Sequence, residues 1–406
     1  MKKRIGMVIT AMGLPGEKGH PRYDFLAKLF AENKFEVDVI LSTFQHYDKK
    51  QRNLEELQKL DLNYNIIFIK EPGYKKNIDV RRIISHKIFS KRIKEYLENN
   101  KNKYDILYCL IPDNFVAMEV SLFGRKNNIP VVIDVEDLWP EAMKMVFDIP
   151  FISNLLFYPF SKAAKLAYQN CSGIIGSSDE YRDRPFKDRE NNIPKETVYV
   201  GSELKVYDEG IKIYSEEIPK EEEEFWIIYA GNIGTSYDLK TLLLASKLLY
   251  DRGYENIKTK ILGTGTMLEE LKEISKDFKN VEFLGHVLYP KMAAYLSKSD
   301  VCINSFVKKA PQSIVTKIGD YLASGHPMIN TCSSIEFRNK VENDKFGINI
   351  EAEDPEILVN AILYFYNNKD ICVQMGNNAR KIAEEQFDRP QSYKKIVNLI
   401  NKLLME

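Results

Sequence analysis

Ile261-Leu-Gly-Thr-Gly-Thr-Met-Leu268 decides how this chain folds. An apolar run, 258–262, ends in two glycines one residue apart, and a helical pattern over 266–276 follows. Strand, tight turn and helix in that order open a βαβ unit. A dinucleotide fingerprint would need a third glycine at 268, where Leu268 stands. A dehydrogenase is therefore disfavoured, while a helix N-terminus suited to a diphosphate remains.

On either side of this unit the alternation continues. Strands are expected at 226–230, 281–284, 301–304 and 327–330, with helices at 239–250, 289–296, 314–323 and 355–366. The first half repeats the scheme. Strands are expected at 4–10, 36–42, 65–69, 104–110, 130–135 and 171–176, with a helix over 23–33. Continuous apolar strands separated by helices make parallel sheets covered on both faces. The predicted fold class is α/β, two Rossmann-like domains with parallel sheets facing a central cleft. The expected division is 1–200, a linker at 201–224 with Gly201, Gly210, Pro219 and the acidic run Glu221–Glu224, and 225–388. A last helix, 389–406, is expected to pack back on the first domain.

The length of 406 residues suits two domains. Hydrophobic residues at 44% and charged residues at 29% describe a globular protein and exclude global disorder. Lysine plus arginine equals aspartate plus glutamate at 58 each, so charge makes no case for a nucleic-acid partner. The balance is uneven: residues 74–103 hold ten basic and three acidic side chains. Five cysteines without a C-x-x-C spacing argue against a disulfide framework or a zinc site and for a reduced compartment. The N-terminal apolar run is too short for a signal peptide and reads as a first buried strand. No run reaches the roughly 20 apolar residues of a membrane span.

Ligands in doubly wound sheets sit at the carboxyl ends of the strands. The loop Met12-Gly-Leu-Pro-Gly-Glu-Lys-Gly-His-Pro-Arg22 has glycines at 13, 16 and 19 that permit close backbone approach. Asp134-Val-Glu-Asp-Leu-Trp-Pro-Glu141 places four carboxylates beside Trp139, which suits orientation of a hydroxyl-rich ligand over an apolar platform. Tyr229-Ala-Gly-Asn-Ile-Gly-Thr-Ser236 brings backbone amides near the cleft through Gly231 and Gly234. Gln312, Thr316 and Asp320 are four apart, on roughly one face of a helix, with Lys317 beside them. A carboxylate can take both hydroxyls of a ribose, and a lysine can neutralise a phosphate.

Taken in order, these loops resemble glycosyltransferase family 4, of the GT-B fold. The likeness is strongest over 226–350, through Tyr-Ala-Gly-Asn-Ile-Gly, Ile-Leu-Gly-Thr-Gly, Val-Glu-Phe-Leu-Gly-His-Val and Lys-Ile-Gly-Asp-Tyr-Leu-Ala-Ser-Gly-His-Pro. Asp137-Leu-Trp-Pro-Glu141 is similar to the bacterial polysaccharide branch of that family. The resemblance implies a nucleotide-sugar site made of Gly231, Asn232, Gly234, Gly263 and Gly265, with Val287 meeting the base through its backbone. Lys317 would hold the diphosphate, Asp320 the ribose and Gln312 the donor sugar. Gly19, His20, Asp137 and Glu141 would face the acceptor, and Lys317, Asp137 and Gln312 would carry the chemistry.

The family further implies retention at the anomeric carbon, a UDP-sugar donor, and no cofactor or required metal. Departures stand at Gln312, where many members have Glu, at Asn232, where an Arg is frequent, and at Pro112-Asp-Asn114, where a His is common. A sugar-nucleotide epimerase and a non-catalytic GT-B partner subunit stay open as alternatives. The basic block 74–103, with Ile83, Ile84, Ile88 and Phe89 interleaved, and the segment 147–160 suggest an anionic membrane surface. The expectation is a cytoplasmic enzyme on the inner face of the plasma membrane, acting on a lipid-linked saccharide.

Overall fold

The computed structural model describes residues 2–405 except 20, 78, 147, 148, 150, 151 and 311–313, and leaves out the side chains of 144–146. The chain forms two units, Met1–Val198 with Tyr393–Glu406, and Tyr199–Ser392.

The first unit holds β1 (Arg4–Ile9), β2 (Glu36–Ser42), β3 (Phe44–Gln45), β4 (Lys50–Gln51), β5 (Asn65–Ile69), β6 (Ile106–Ile111), β7 (Val131–Val135), β8 (Gly173–Gly176) and β9 (Lys195–Thr197). Seven of them make one parallel sheet in the order β5-β2-β1-β6-β7-β8-β9, and β3 and β4 pair as a small antiparallel hairpin. Successive side chains of a strand point to opposite faces, and the core divides accordingly. Tyr108, Leu110 and Val132 pack with the helix Arg22–Glu32 and with Ile396, Leu399 and Ile400 of the helix Lys394–Met405. Leu107, Cys109 and Val131 pack with the helices Val80–Asn99, Asn114–Asn127 and Ile152–Asn170. The C-terminal helix is therefore part of the first unit's core.

The second unit holds β10 (Phe225–Ala230), β11 (Ile257–Leu262), β12 (Val281–Gly285), β13 (Val301–Asn304), β14 (Met328–Asn330) and β15 (Gly347–Asn349). They form one parallel sheet in the order β12-β11-β10-β13-β14-β15. Its two faces again carry separate clusters, Ile228 and Cys302 on one side, Ile227 and Ile303 on the other.

Two expectations need correction. Residues 201–224 are not a linker: Leu204–Tyr214 is a helix of the second unit, with Leu204 and Tyr207 in its core. Gly210 marks a close approach, since a Cβ there would lie 2.6 Å from Pro290 Cα. The helix expected over 314–323 begins only at Lys317. Ile314, Val315 and Thr316 form a β-branched run that disfavours an earlier start. Thr316 caps this helix with helical dihedrals (φ −50°, ψ −42°), so it stays one turn before Asp320. Gln312 and His20 lie outside the described residues.

Candidate functional site

In the second unit the loops after β10, β11 and β12 are stitched together by backbone hydrogen bonds. Gly231 N donates to Leu262 O (2.9 Å), Ile233 N to Thr264 O (2.9 Å) and Gly263 N to Gly285 O (2.7 Å). The glycines permit that spacing: a Cβ on Gly263 would fall 1.8 Å from Gly231 O, and one on Gly265 would fall 2.1 Å from Ile233 O. The Tyr229 hydroxyl donates to Asn232 O (2.6 Å), while the Asn232 side chain is exposed. A Cβ on Gly234 would meet Asn232 Nδ2 at 2.7 Å. Val287 lies half-buried in the loop between β12 and the helix Tyr289–Ser297.

Lys317 opens the helix Lys317–Ala323, and its Cδ would lie 3.5 Å from a Cβ at Gly231. Its Nζ is buried and has no hydrogen-bond partner among the described residues. Ring faces surround it instead: Tyr229 at 4.2 Å, Tyr237 at 4.4 Å, Phe306 at 5.2 Å and Tyr321 at 5.8 Å. Burial pulls its pKa from the usual lysine range to about 7. Aromatic faces attract a cation but cannot accept a strong hydrogen bond from it. Among the described residues this amine meets no anion, and it stands beside three glycine-rich strand ends.

Asp320, three residues on, is buried. Its Oδ1 accepts from Ser202 Oγ (2.6 Å) and from the Tyr289 hydroxyl (2.9 Å). Burial raises its pKa, and these two hydrogen bonds oppose the rise. Oδ2 makes no hydrogen bond to a described residue.

In the first unit a cavity of about 350 Å³ opens at the carboxyl ends of β1 and β6, reached also by the β3–β4 hairpin and the helix Val80–Asn99. Asp137 and Trp139 line it. Asp137 Oδ2 accepts from Trp139 Nε1 (3.1 Å) and Oδ1 from Leu138 N (2.9 Å), and burial raises its pKa. Trp139 is not a bare platform. The Arg82 guanidinium lies 4.4 Å over its ring, and the His86 ring is stacked on it at 6.1 Å and 6°. His86 Nδ1 is 2.9 Å from Asp113 Oδ2.

The acid-rich stretch 134–141 is split among three partners. Asp134 is wholly buried and receives Arg22 Nη2 on both oxygens (3.1 and 3.0 Å). Glu136 Oε1 is 3.1 Å from Arg22 Nε, and burial pushes its pKa up to about 7. Glu141 pairs with Arg184 Nε (2.5 Å) and does not line the cavity. Gly19, with φ of 145°, closes the glycine loop on itself: a Cβ there would lie 2.7 Å from Gly13 N and 2.9 Å from Tyr47 Cε2. Arg52 Nη2 and Gln45 Nε2 fasten that loop through Met12 O (2.7 Å) and Lys18 O (2.5 Å).

Sequence reasoning missed His46, Tyr74, Arg82 and His86 as cavity residues. Arg82 was counted with the basic surface block. Its signal would have been helical phase, because Arg82, His86 and Phe89 follow one face of the helix and Arg81, Val80 and Lys87 the other.

A family model, glycosyl transferases group 1, matches residues 224–368. A protein of Methanocaldococcus jannaschii described as an uncharacterised glycosyltransferase is 23% identical over 259 residues. That stretch covers 62% of this chain and 64% of the relative, so the chain spans under two thirds of that relative's length. The fold is that of Anabaena HepE in complex with UDP, with a TM-score of 0.70 at 13% identity over 98% of this chain and 100% of that one. Sucrose-phosphate synthase from Thermosynechococcus elongatus matches with a TM-score of 0.72 at 15% identity over 100% of both chains. The two Rossmann-like units thus form a GT-B fold, and residues 224–368, which carry Lys317 and the three glycine-rich strand ends, match glycosyl transferases group 1.

Proposed function

We propose that the protein is a retaining glycosyltransferase. It moves a sugar from a UDP-linked donor to a lipid-linked or polysaccharide acceptor in bacterial capsule, exopolysaccharide or O-antigen synthesis. The observation that carries this reading is the buried Lys317 ammonium, unpartnered among the described residues, beside the glycine-pinched ends of β10 and β11. The fold shared with HepE, whose structure contains UDP, supports the donor class.

In this reading Lys317 and the amides near Gly234 hold the donor diphosphate. Asp320 Oδ2 takes the ribose, the Val287 backbone the base, and Gln312 the sugar. Gly231, Gly263 and Gly265 let the diphosphate approach the backbone, with Asn232 at the rim. The bond from the anomeric carbon to the diphosphate breaks, and charge grows on the departing phosphate oxygens. A fixed ammonium in a water-poor site stabilises that charge by a few kcal/mol, about the effect of one oxyanion-hole donor. The acceptor hydroxyl attacks from the leaving-group side, forms the new C–O bond and gives its proton to the departing phosphate. No protein base and no metal is required, so a chelator leaves the rate unchanged. Asp137, with the Gly19–His20 loop, orients the acceptor.

The acceptor's origin is read from the first unit's surface. Among the described residues no helix is long and apolar enough to cross a membrane. Leu155 is 80% exposed and Val80 71%, and Ile84, Ile152, Leu156 and Tyr158 are exposed with them. Exposed apolar side chains on this unit, Val80 and Ile84 among them on the helix of Arg81, Lys87 and Lys91, suit an anionic bilayer, so the protein sits peripherally on the cytoplasmic face of the plasma membrane. Equal sedimentation with and without anionic liposomes would remove this part.

The test is a panel of nucleotide-sugars with lipid extract, scored by nucleotide release. Release that needs both donor and acceptor and collapses in Lys317→Ala supports the reading. Donor turnover without acceptor would return the epimerase, and a stable complex without donor binding the partner subunit.

A further inference from the structure

In the second unit the run Lys317-Ile-Gly-Asp320 puts a glycine directly before the buried acid, and the structure gives that glycine a use. A Cβ on Gly319 would lie 2.9 Å from Ser202 Oγ and 3.3 Å from Gly201 Cα, so a side chain there would push the Ser202 hydroxyl away. Without one, that hydroxyl reaches Asp320 Oδ1 at 2.6 Å. The Ser202 backbone is fixed on both sides: its N–H donates to Phe387 O (2.8 Å) and its carbonyl accepts from Arg389 N (3.0 Å). Gly201 permits this, with φ of 60° and a Cβ that would fall 2.1 Å from Phe387 O. The second donor, the Tyr289 hydroxyl at 2.9 Å, comes from the first residue of the helix Tyr289–Ser297. Its ring stands edge-on to Tyr207 (6.5 Å, 71°).

Both donors fall on one oxygen, so turning the carboxylate would break two hydrogen bonds to a charged group. Burial raises the Asp320 pKa, and the two hydroxyls and the charge of Arg389 act against the rise. Arg389 acts at a distance: its guanidinium goes to Val200 O (3.1 Å), Gly201 O (2.8 Å) and Glu203 Oε1 (3.2 Å). Tyr289 and Tyr207, the titratable neighbours on the two adjoining helices, are kept neutral by burial. Lys317, on the same helix, keeps its Nζ among rings. The orientation and the ionised form of this acid therefore depend on Ser202 and Tyr289.

We propose that Ser202 and Tyr289 are positioning residues for nucleotide recognition: together they hold Asp320 Oδ1, present Oδ2 to the ribose hydroxyls, and so make the site select a ribonucleotide over its deoxy form. This rests on the reading of the second unit as a nucleotide-sugar site with Asp320 at the ribose.

The test is calorimetric titration of the full chain with UDP and with dideoxy-UDP, which lacks both ribose hydroxyls. The wild type binds UDP about tenfold or more tightly, the effect of hydrogen bonds to a charged group. Tyr289→Phe and Ser202→Ala each cut this preference to about threefold or less, while affinity for dideoxy-UDP stays that of the wild type. With one donor gone the carboxyl keeps its proton to higher pH, so the pH below which the preference fades lies higher in each variant than in the wild type. A preference left intact in either variant overturns the proposal for that residue. Equal weakening of both nucleotides in both variants overturns it as well, because it marks a structural role. Either result leaves the nucleotide site standing. Equal binding of the two nucleotides by the wild type takes the ribose away from Asp320 and the proposal with it. No UDP binding by the wild type removes the donor reading itself, and the proposal falls with that reading.

Discussion

Arg22 in the first unit, after β1, and Lys317 in the second, after β13, are two cations buried at their charged ends. Each is the first residue of a helix that follows a strand and its loop; Arg22 is wholly buried, and Lys317 is half-buried with its Nζ out of solvent. The molecule answers them in opposite ways. Arg22 meets both oxygens of Asp134, with Val198 O at 3.2 Å and the Tyr393 hydroxyl at 3.0 Å. Burial works against its charge, but Asp134 and the neighbouring groups outweigh it and hold its pKa well above the ordinary value. Among the described residues Lys317 Nζ meets only ring faces, and burial wins. A buried cation with a complete set of acceptors belongs to the architecture. One without any is unfavourable as it stands, which a fold retains where a ligand supplies the missing anion.

The largest effect is expected on the paired side. Arg22→Met leaves Asp134 buried and uncompensated, and should lower stability by about 3–5 kcal/mol in urea melts. Adding Asp134→Leu should restore a good part of that loss, because replacing both partners removes the orphaned charge. An Arg22→Met protein as stable as the wild type would break the comparison.

Lys317→Met should act in the other direction. It removes an uncompensated charge and fills the same space, so the chain without ligand gains stability, on the order of 1–3 kcal/mol. Nucleotide release from the donor should fall about a hundredfold or more, as when one preorganised donor to a developing charge is lost. Gain of stability with loss of turnover in one variant is the signature of a ligand-directed residue. A loss of both would make Lys317 structural.

How much of this was legible follows from what one dimension can carry. The strands were readable because a buried parallel strand is a continuous apolar run. Val301–Asn304 is observed with the expected bounds, and Phe225–Ala230 and Ile257–Leu262 start one residue earlier than expected. Lys195–Thr197 and Gly347–Asn349 were not readable, since three residues make no period. The acidic run after Pro219 drew attention away from Leu204, Tyr207 and Ile211, whose spacing is helical. Lys317 stood out by motif, but its cage is assembled from β10, β13's following loop, the segment before the helix Leu239–Asp251 and its own helix. No local pattern announces that. The acids of 134–141 were misread as one group although the strand period separates them. Asp134 and Glu136 share a face with Val132 and turn to Arg22, and Asp137 turns the other way into the cavity.

The pH dependence sharpens the comparison further. The Lys317 pKa in the fold, about 7, lies below the ordinary lysine value of 10.5. Between those two values the unfolded chain binds the extra proton, so the fold's stability rises with pH across that window. Lys317→Met should remove this rise, and Arg22, charged throughout, contributes none. A bound diphosphate favours the ammonium form. UDP binding at pH 8 should therefore take up close to one proton, read from calorimetry in buffers of different ionisation enthalpy. The uptake should vanish in Lys317→Met. Binding without uptake in the wild type would mean that the diphosphate does not reach the ammonium.

The smallest effect separates the carboxylates that were grouped in the sequence. The Glu141 side chain is 40% exposed and its partner Arg184 also pairs with Asp188, so the Glu141–Arg184 bridge resembles surface pairs worth about 0–1 kcal/mol. Glu141→Gln should shift stability within that range and leave acceptor KM within about twofold. Asp137→Asn keeps the shape but exchanges an acceptor oxygen for a donor beside the Trp139 indole N–H, so it should raise acceptor KM severalfold while donor affinity stays unchanged. The two substitutions differ by a single atom type each and lie four residues apart. If they affected acceptor binding equally, the cavity boundary drawn between Asp137 and Glu141 would be misplaced.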